Sequence, residues 1–262
     1  MSSHTIVFIT GANTGLGFEI VKSLCQSTNA YTILLGGRDI EKANAAAKEA
    51  QSKYPSSQST IKTVQIDVED DDSISRAFEH VSAEYGHIDV LINNAGASFD
   101  NSAGMSLREK WAKSWDVNVS GTYILTHTFM PLLLKSSAPR LLFITSGTST
   151  LTDAGNTPIA VDVSPAAGWP KQGFNVTAYR SSKTGLNMVM REFRRMLKND
   201  GVKIWAISPG FLATDLGGGK EMYKKMGAAD PSVGGEFVRN VVEGGRDGDV
   251  GFVIRKDDVQ PF

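Results

Sequence analysis

Tyr179 and Lys183 are the two residues whose types and spacing most directly suggest chemistry. A four-residue offset on a helix places two side chains on one face about one turn apart, so the ammonium would lie close to the phenol. A nearby positive charge favours the phenolate and lowers the tyrosine pKa from its ordinary value of about 10. We therefore expect Tyr179 to exchange a proton near neutral pH. An exposed helical pair without a function would have the same spacing, so the context must decide.

A glycine-rich turn near the N-terminus suggests what this proton donor works beside. It follows the apolar run 6–9, precedes a predicted helix and contains Gly11, Gly15 and Gly17. Glycines there permit a tight turn and a close approach of a pyrophosphate to the backbone at a helix N-terminus. The spacing is G-x-x-x-G-x-G, not the common G-x-G-x-x-G. We interpret the turn as a dinucleotide site, with an ordinary glycine-rich connection as the alternative.

Apolar runs of strand length alternate with segments of helical periodicity along most of the chain. The predicted strands are residues 5–10, 32–35, 61–66, 90–93, 140–145, 203–208 and 251–254. The predicted helices are residues 18–28, 39–53, 72–85, 107–134, 178–198 and 232–242. This alternation indicates right-handed crossovers and a parallel sheet buried on both faces. The predicted fold is therefore α/β: a single Rossmann-type domain over residues 1–262, with a doubly wound parallel sheet of about seven strands.

Two segments interrupt this alternation. Residues 147–176 contain three prolines and several glycines and serines without a clear period, so they are predicted to form a long loop or insertion. Long irregular loops in compact domains tend to be functional. Residues 215–229 contain the consecutive glycines 217–219 followed by a short amphipathic stretch. We interpret this second segment as a hinge and helix that form a substrate lid.

Charge and cysteine content limit the classes of function. The 262 residues include 27 basic and 28 acidic side chains, for a net charge of −1, so no broad basic surface is available to attract nucleic acid. The single cysteine, Cys25, cannot form an internal disulfide and fits a reducing compartment. No apolar stretch approaches the ~18 to 20 residues that span a bilayer. We expect a soluble, cytoplasmic protein without metal ligands.

The residues after the second predicted strand report on the cofactor. An acidic side chain there would bind a ribose 2′-hydroxyl, whereas an arginine accommodates a 2′-phosphate. Gly37 leaves room and Arg38 offers a bidentate fork for phosphate. Asp39 could repel a phosphate, or it could simply cap the next helix. NADP(H) is therefore favoured over NAD(H), although Arg38 could also be an ordinary surface arginine.

Together these motifs resemble the short-chain dehydrogenase/reductase family, and in particular its carbonyl reductase-like, NADPH-dependent members. The resemblance extends over residues 10–214. Its motifs follow the family's order: the glycine turn at 10–17, Asp67-Val68, Asn93-Asn94-Ala95-Gly96, Asn118, Ser146, Tyr179 with Lys183, and Pro209-Gly210 followed by Thr214. The insertion before Tyr179 is similar to that of the carbonyl reductase-like members.

The resemblance implies a role for each matching residue. Tyr179 would protonate a carbonyl oxygen that Ser146 orients, with Thr145, Thr148 and Ser149 as competing hydroxyls. Lys183 would lower the phenol pKa and hold the nicotinamide ribose, and Asn118 would kink its helix and hold a water linked to Lys183. The implied cofactor contacts are Gly11, Asn13, Thr14, Gly15, Leu16, Gly17, Arg38, Asp67, Val68, Asn94, Ala95, Gly96, Tyr179, Lys183, Pro209, Gly210, Leu212 and Thr214.

Large apolar side chains near the insertion and the lid suggest a bulky substrate. Those expected to wall the pocket are Phe99, Trp169, Phe174, Phe211, Leu212, Met222, Tyr223 and Phe262. We therefore expect an NADPH-dependent reductase of bulky apolar or aromatic ketones. An imine or cyclising substrate and a non-catalytic NADP(H)-binding regulator are the alternatives. By the same resemblance, we expect a homo-oligomer formed through the helices at 107–134 and 178–198.

Overall fold

The computed structural model describes residues 4–156, 159–171, 173–217 and 219–262, and these residues contain one eight-stranded sheet. Its strands are β1 (Thr5–Ile9), β2 (Tyr31–Gly37), β3 (Thr60–Gln65), β4 (Val90–Asn93), β5 (Arg140–Ile144), β6 (Lys203–Ile207), β7 (Val253–Ile254) and β8 (Val259–Gln260). Seven of them fall where the sequence predicts strands. The eighth was not predicted, because Val259 and Gln260 stand in a mostly polar stretch and form no apolar run.

The sheet has the order β3-β2-β1-β4-β5-β6-β7-β8, and all neighbouring strands are parallel except β7 and β8. From β1 the chain builds the sheet outwards through β2 and β3, and from β4 it builds in the opposite direction; open α/β sheets bind ligands at such a switch point. The carboxyl ends of the parallel strands all lie along one edge of the sheet. The predicted Rossmann-type α/β fold is therefore confirmed, with an antiparallel edge strand added.

Nine α-helices connect the strands within the described residues. They are α1 (Gly15–Cys25), α2 (Ile40–Lys53), α3 (Asp71–Tyr85), α4 (Leu107–Trp115), α5 (Thr122–Leu133), α6 (Leu151–Asn156), α7 (Thr177–Met196), α8 (Lys220–Lys225) and α9 (Pro231–Val242). The first begins three residues earlier than predicted, because Gly15 and Gly17 belong to its first turn. Short 3-10 turns lie at Ala160–Asp162, Lys198–Asp200 and Asp247–Asp249.

The predicted continuous helix over residues 107–134 is wrong, because a π-helical segment, Asp116–Gly121, separates α4 from α5. The side chain of Asn118 in this segment bonds to the backbone of Ala97 rather than facing solvent. A Cβ added at Gly121 would lie 2.0 Å from the backbone oxygen of Val68, so the segment packs backbone to backbone against the loop after β3. The widened turn accommodates both contacts.

Each face of the sheet is covered by its own apolar core. Ile6 and Phe8 of β1 point into the core formed with α3, α5 and α7, whereas Val7 and Ile9 point into the core formed with α1, α2 and α9. This alternation along β1 is the geometry of a strand buried on both faces. The sheet is thereby a fixed platform, and side chains at its carboxyl edge can be placed accurately.

The two irregular segments are only partly without structure. Residues 147–176 contain α6 and the 3-10 turn Ala160–Asp162, and Asp162 pairs with Arg180 of α7 at 2.7 Å. In residues 215–229 the predicted short helix is present as α8. Gly218 of the predicted hinge lies outside the described residues, as do Thr157, Pro158 and Gln172. Across the described ranges, no helix is both long and apolar enough to cross a membrane.

Candidate active site

Tyr179 and Lys183 share one face of α7, as their spacing predicts. The Lys183 side chain is buried, with 3% of the residue exposed, and its Nζ atom donates a hydrogen bond to the backbone oxygen of Ile144 at 2.8 Å. The same nitrogen lies 6.0 Å from the centroid of the Tyr179 ring. The end of β5 therefore anchors the ammonium, and the phenol projects beside it.

Burial controls the pKa values of both groups. It raises the pKa of Tyr179 to about 12. The hydrogen bond to Ser146 opposes this rise, and Tyr223 adds a smaller one. Burial also lowers the pKa of Lys183 to about 8. The expected lowering of the Tyr179 pKa is therefore wrong for this structure, because burial raises this pKa by more than the hydrogen bond to Ser146 lowers it. At neutral pH the phenol carries its proton.

Ser146 lies directly after β5 and supplies the hydroxyl that meets the phenol. Its Oγ atom also accepts a hydrogen bond from the backbone nitrogen of Thr148 at 3.1 Å. The competing hydroxyls have other partners: Thr145 bonds to the Asn187 side chain at 2.7 Å, and Ser149 donates to the backbone oxygen of Ser146 at 2.6 Å. Among these hydroxyls the geometry favours Ser146.

Gln260 of β8 supports this serine and was missed by the sequence reasoning. Its side chain is fully buried, and its amide nitrogen donates to the backbone oxygen of Ser146 at 3.2 Å and to Ser149 Oγ at 3.3 Å. Its amide oxygen accepts from the Arg255 guanidinium at 3.3 Å. No sequence signal distinguishes this glutamine, since Ser146 and Ser149 lie more than a hundred residues earlier in the chain.

Asn118 and Lys183 converge on the loop after β4. Asn118 accepts a hydrogen bond from the Ala97 nitrogen at 3.0 Å and donates to the Ala97 oxygen at 2.8 Å and to Ser182 Oγ at 3.0 Å. A Cβ added at Gly96 would lie 3.0 Å from the Asn118 Oδ1 atom and 3.2 Å from the Lys183 Nζ atom. The structure thus brings together all four residues that the resemblance implies are catalytic.

The glycine turn forms a cradle that side chains would fill. Gly11 has a φ of 61°, and a Cβ there would lie 2.9 Å from the Ala95 Cα atom. A Cβ at Gly17 would lie 2.4 Å from the Asn94 amide nitrogen, which itself donates to the backbone oxygens of Thr10 and Gly11.

The helix that follows this cradle begins without a cap of its own. Thr14 occupies the N-cap position of α1 and makes no side-chain cap hydrogen bond, so the helix N-terminus can bind an anion. Gly15 and Leu16 follow in the first turn. This arrangement fits the pyrophosphate of a dinucleotide.

The residues at the end of β2 lie where the sequence predicts contact with the cofactor ribose. The Arg38 side chain is 75% exposed and forms an ion pair with Glu69, with 3.9 Å between the charged groups. Asp39 accepts hydrogen bonds from the backbone nitrogens of Glu41 and Lys42, which identifies it as the cap of α2. A Cβ added at Gly37 would lie 3.2 Å from the Asn13 Oδ1 atom.

The segment after β6 meets the glycine turn from the other side. Thr214 lies beside Gly15, with 3.8 Å between its Cβ atom and a Cβ added at that glycine. Leu212 forms a β-bridge with Ala229, which ties this segment to the residues after α8. Pro209 and Gly210 follow β6 directly, while Asp67 and Val68 follow β3 at the opposite side of the same edge. Every implied cofactor contact therefore lies at the carboxyl edge of the sheet or on the α7 face beside it.

Of the apolar side chains expected to wall the pocket, Phe211 and Tyr223 pack against each other, with ring centroids 5.5 Å apart. Tyr223 is close enough to influence the Tyr179 phenol. Phe99 instead packs on the core under α3, α5 and α7, and Phe262 lies over Arg191 at 5.1 Å. Trp169 is 88% exposed.

Trp169 lines a cavity that is separate from the four converging residues. This cavity has a volume of about 820 Å³ and also includes Leu107, Trp111 and Asn175. The aromatic side chains expected to form one wall are thus divided between the segment around α8 and this outer cavity.

Comparison with known proteins identifies the family. The short chain dehydrogenase family model matches residues 5–159 and 151–224. This chain belongs to that family. It is 46% identical over 268 residues to the short-chain dehydrogenase/reductase tropE of Talaromyces stipitatus, covering 100% of this chain and 99% of that protein. It is also 46% identical over 270 residues to eupG of a Phoma species, covering 98% of this chain and 97% of that short-chain dehydrogenase/reductase.

Solved structures of this short-chain dehydrogenase fold include a carbonyl reductase from chicken fatty liver with bound NADPH. It has a TM-score of 0.77 and 22% identity, with 100% of both chains covered. An alcohol dehydrogenase from Thermococcus sibiricus in complex with 5-hydroxy-NADP has a TM-score of 0.74 and 22% identity, covering 98% of this chain and 97% of that one. At these identities the likeness shows the fold. Membership of the family makes this chain an oxidoreductase of the NAD(P)-binding class.

Proposed function

We propose that this short-chain dehydrogenase reduces a ketone to a secondary alcohol with NADPH, and that Tyr179 donates the proton. The observation that carries the proposal is the convergence of four side chains: the Ser146 hydroxyl interacts with the Tyr179 phenol, and Lys183 and Asn118 both lie beside Gly96. A phenol that keeps its proton at neutral pH suits a donor. The named carbonyl reductase among the similar structures supports the same direction.

In this mechanism the chain binds, orients and protonates. The nicotinamide cofactor, when bound in the glycine cradle, supplies the hydride. Ser146 donates a hydrogen bond to the carbonyl oxygen and holds it against the Tyr179 hydroxyl, which transfers its proton to that oxygen. Lys183, anchored at Ile144, presents its ammonium beside the phenol and stabilises the phenolate left after the transfer.

Preference for NADPH follows from the charges at the end of β2. Asp39 caps α2, so its carboxylate does not turn towards the ribose, whereas the exposed Arg38 guanidinium can exchange its pair with Glu69 for a 2′-phosphate. The substrate is proposed to be bulky and apolar or aromatic, because Phe211 and Tyr223 present an edge-to-face ring pair beside the phenol. An imine or cyclising substrate would use the same groups.

The test is NADPH consumption with a panel of bulky ketones, for the parent and for Tyr179→Phe. We expect the substitution to reduce turnover by about 10²- to 10⁴-fold while NADPH still binds. Tyr85→Phe is the matched control, because the Tyr85 hydroxyl bonds to the neighbouring Glu84 side chain at 2.9 Å on α3, and its loss should leave turnover unchanged. Full activity of Tyr179→Phe would refute the mechanism. Tight NADPH binding without turnover on any ketone or imine would favour a non-catalytic binder.

A further inference from the structure

The first turn of α7 is held by a carboxylate from another part of the fold. Asp100 lies on the loop after β4 and is 7% exposed. Its Oδ1 atom accepts a hydrogen bond from the Ala178 nitrogen at 2.7 Å, and its Oδ2 atom accepts one from the Tyr179 nitrogen at 2.9 Å. Little water reaches this side chain, so the two hydrogen bonds stabilise its negative charge in place of hydration.

The helix lacks a side-chain cap at its own N-cap position. Val176 occupies that position and has no side-chain oxygen. The Thr177 nitrogen donates to Asn175 Oδ1, two residues earlier in the chain, at 2.9 Å. The first backbone nitrogens of a helix have no partner within the helix. Asp100 satisfies the next two, and its negative charge lies at the positive end of the helix dipole.

The neighbouring residue strengthens this connection. Asn101 donates from its side chain to the Asn175 oxygen at 2.9 Å and accepts from the Asn175 nitrogen at 3.3 Å. Lys110 of α4 holds the Asp100 backbone oxygen at 3.1 Å. Two consecutive side chains thus fix the point at which the chain leaves the irregular segment 147–176 and enters α7.

We propose that Asp100 is a positioning residue for the proton donor. Its carboxylate fixes the backbone of Tyr179 and so sets the distance from the phenol to the Ser146 hydroxyl. This inference rests on the proposed reductase function. The same loop carries Gly96, so the candidate cofactor site and the proton donor are joined by one short stretch of chain. A displacement of about 1 Å in such a group can cost two orders of magnitude in rate.

A double-mutant cycle tests this role. In the parent background, Asp100→Ala should reduce the turnover number for ketone reduction about tenfold or more, with the NADPH dissociation constant nearly unchanged. In the Tyr179→Phe background, the same substitution should change the residual turnover by less than about twofold, because there is no phenol left to position. Equal losses in the two backgrounds, or no loss in the parent, would overturn the proposal.

Hydrogen exchange at the Ala178 and Tyr179 amides provides a readout that needs no substrate. Both amides should exchange faster in Asp100→Ala, whereas unchanged exchange would overturn the proposal. If the parent reduces no ketone, the proposed function fails while this measurement still decides whether Asp100 holds the helix.

Two further variants keep the test decisive. Asp100→Asn has the same shape but turns an amide donor towards one of the two backbone nitrogens, so it should show the same effects if Asp100→Ala does not fold. Ser106→Ala is the control, because it removes the side-chain cap of α4 and lowers stability while both Asp100 hydrogen bonds to α7 remain. A turnover loss in Ser106→Ala equal to that in Asp100→Ala would show a general effect of lost stability and contradict the positioning role.

Discussion

The Nζ atom of Lys183 bonds to the backbone oxygen of Ile144 at 2.8 Å and lies 6.0 Å from the ring centroid of Tyr179. The ammonium is therefore anchored on the sheet, while Asp100 anchors the backbone of the phenol from a separate loop. Because the two groups have independent supports, substitutions can disturb one without displacing the other.

The buried ammonium predicts how stability depends on pH. The Lys183 pKa is lowered from 10.5 to about 8, so between these values the folded state binds fewer protons than the unfolded state and stability rises with pH. Below pH 8 the penalty is fully present and amounts to roughly 3 kcal/mol. Lys183→Met should remove this dependence. Urea unfolding midpoints between about pH 7 and 9.5 measure it, and this window lies below the range in which Tyr179 titrates.

Equal slopes for the parent and Lys183→Met in that window would contradict the burial argument. Lys198→Met is a suitable control, because Lys198 lies in the exposed 3-10 turn that follows α7. It should leave the pH dependence as it is in the parent.

Arg38 is predicted to set cofactor preference. Arg38→Ala should weaken NADPH binding by the roughly 1.5 to 3 kcal/mol of a charge-assisted contact and leave NADH binding nearly unchanged. Fluorescence titrations with the two cofactors provide the measurement. Arg195→Ala, at the exposed far end of α7, should affect neither cofactor. A similar loss for both cofactors would argue against a 2′-phosphate contact.

Gly96 is predicted to tolerate no side chain. In Gly96→Ala the new methyl would press on Asn118 Oδ1 at 3.0 Å and on Lys183 Nζ at 3.2 Å, so turnover and cofactor affinity should both fall. The overpacking should cost about 1 to 3 kcal/mol of stability. Gly248→Ala is the control, since a Cβ there meets nothing within 4 Å. Steady-state kinetics and thermal unfolding of both variants decide the matter, and normal kinetics of Gly96→Ala would count against the site.

Gln260 is predicted to hold the Ser146 loop. Gln260→Leu keeps the volume but removes the amide donor to the Ser146 oxygen, and about 1 to 3 kcal/mol of stability should be lost with it. Turnover should fall several-fold while NADPH affinity is unchanged, because β8 touches the serine side of the site only. The neighbouring Val259→Thr, at a 39% exposed position, should leave both quantities unchanged. A loss confined to NADPH affinity would contradict this assignment.

Much of the fold was predictable because it depends on local pattern. The strand at residues 90–93 was predicted from its apolar run, and the short helix after Gly219 from its amphipathic pattern. The order of motifs predicted that Ser146 and Tyr179 lie together at the carboxyl edge of the sheet. Capping by Asp39 was one of two interpretations that the sequence left open, and the structure shows the cap. These features are encoded within a few residues of one another.

The features that were missed depend on distant partners. No pattern close to Asp100 in the sequence reveals its role, because its carboxylate oxygens accept hydrogen bonds from backbone nitrogens 78 and 79 residues later in the chain. The π-helical segment cannot be recognised in a continuous apolar pattern, and it lies where Gly121 packs against the distant backbone of Val68. The direction of the Tyr179 pKa shift was wrong because four-residue spacing reports proximity to a charge but not the loss of water.

The contact between Gly121 and the Val68 oxygen has a practical consequence for redesign. Gly121 packs on the backbone oxygen of Val68, one of the implied cofactor contacts, and three residues earlier Asn118 reaches Ala97 and Ser182 beside the proton donor. The segment Asp116–Gly121 thus sets the spacing between the loop after β3, at one end of the candidate cofactor site, and the reacting end beside Tyr179. Backbone changes near Val68 would be transmitted to the reacting end, so cofactor preference is better altered through the exposed side chain of Arg38.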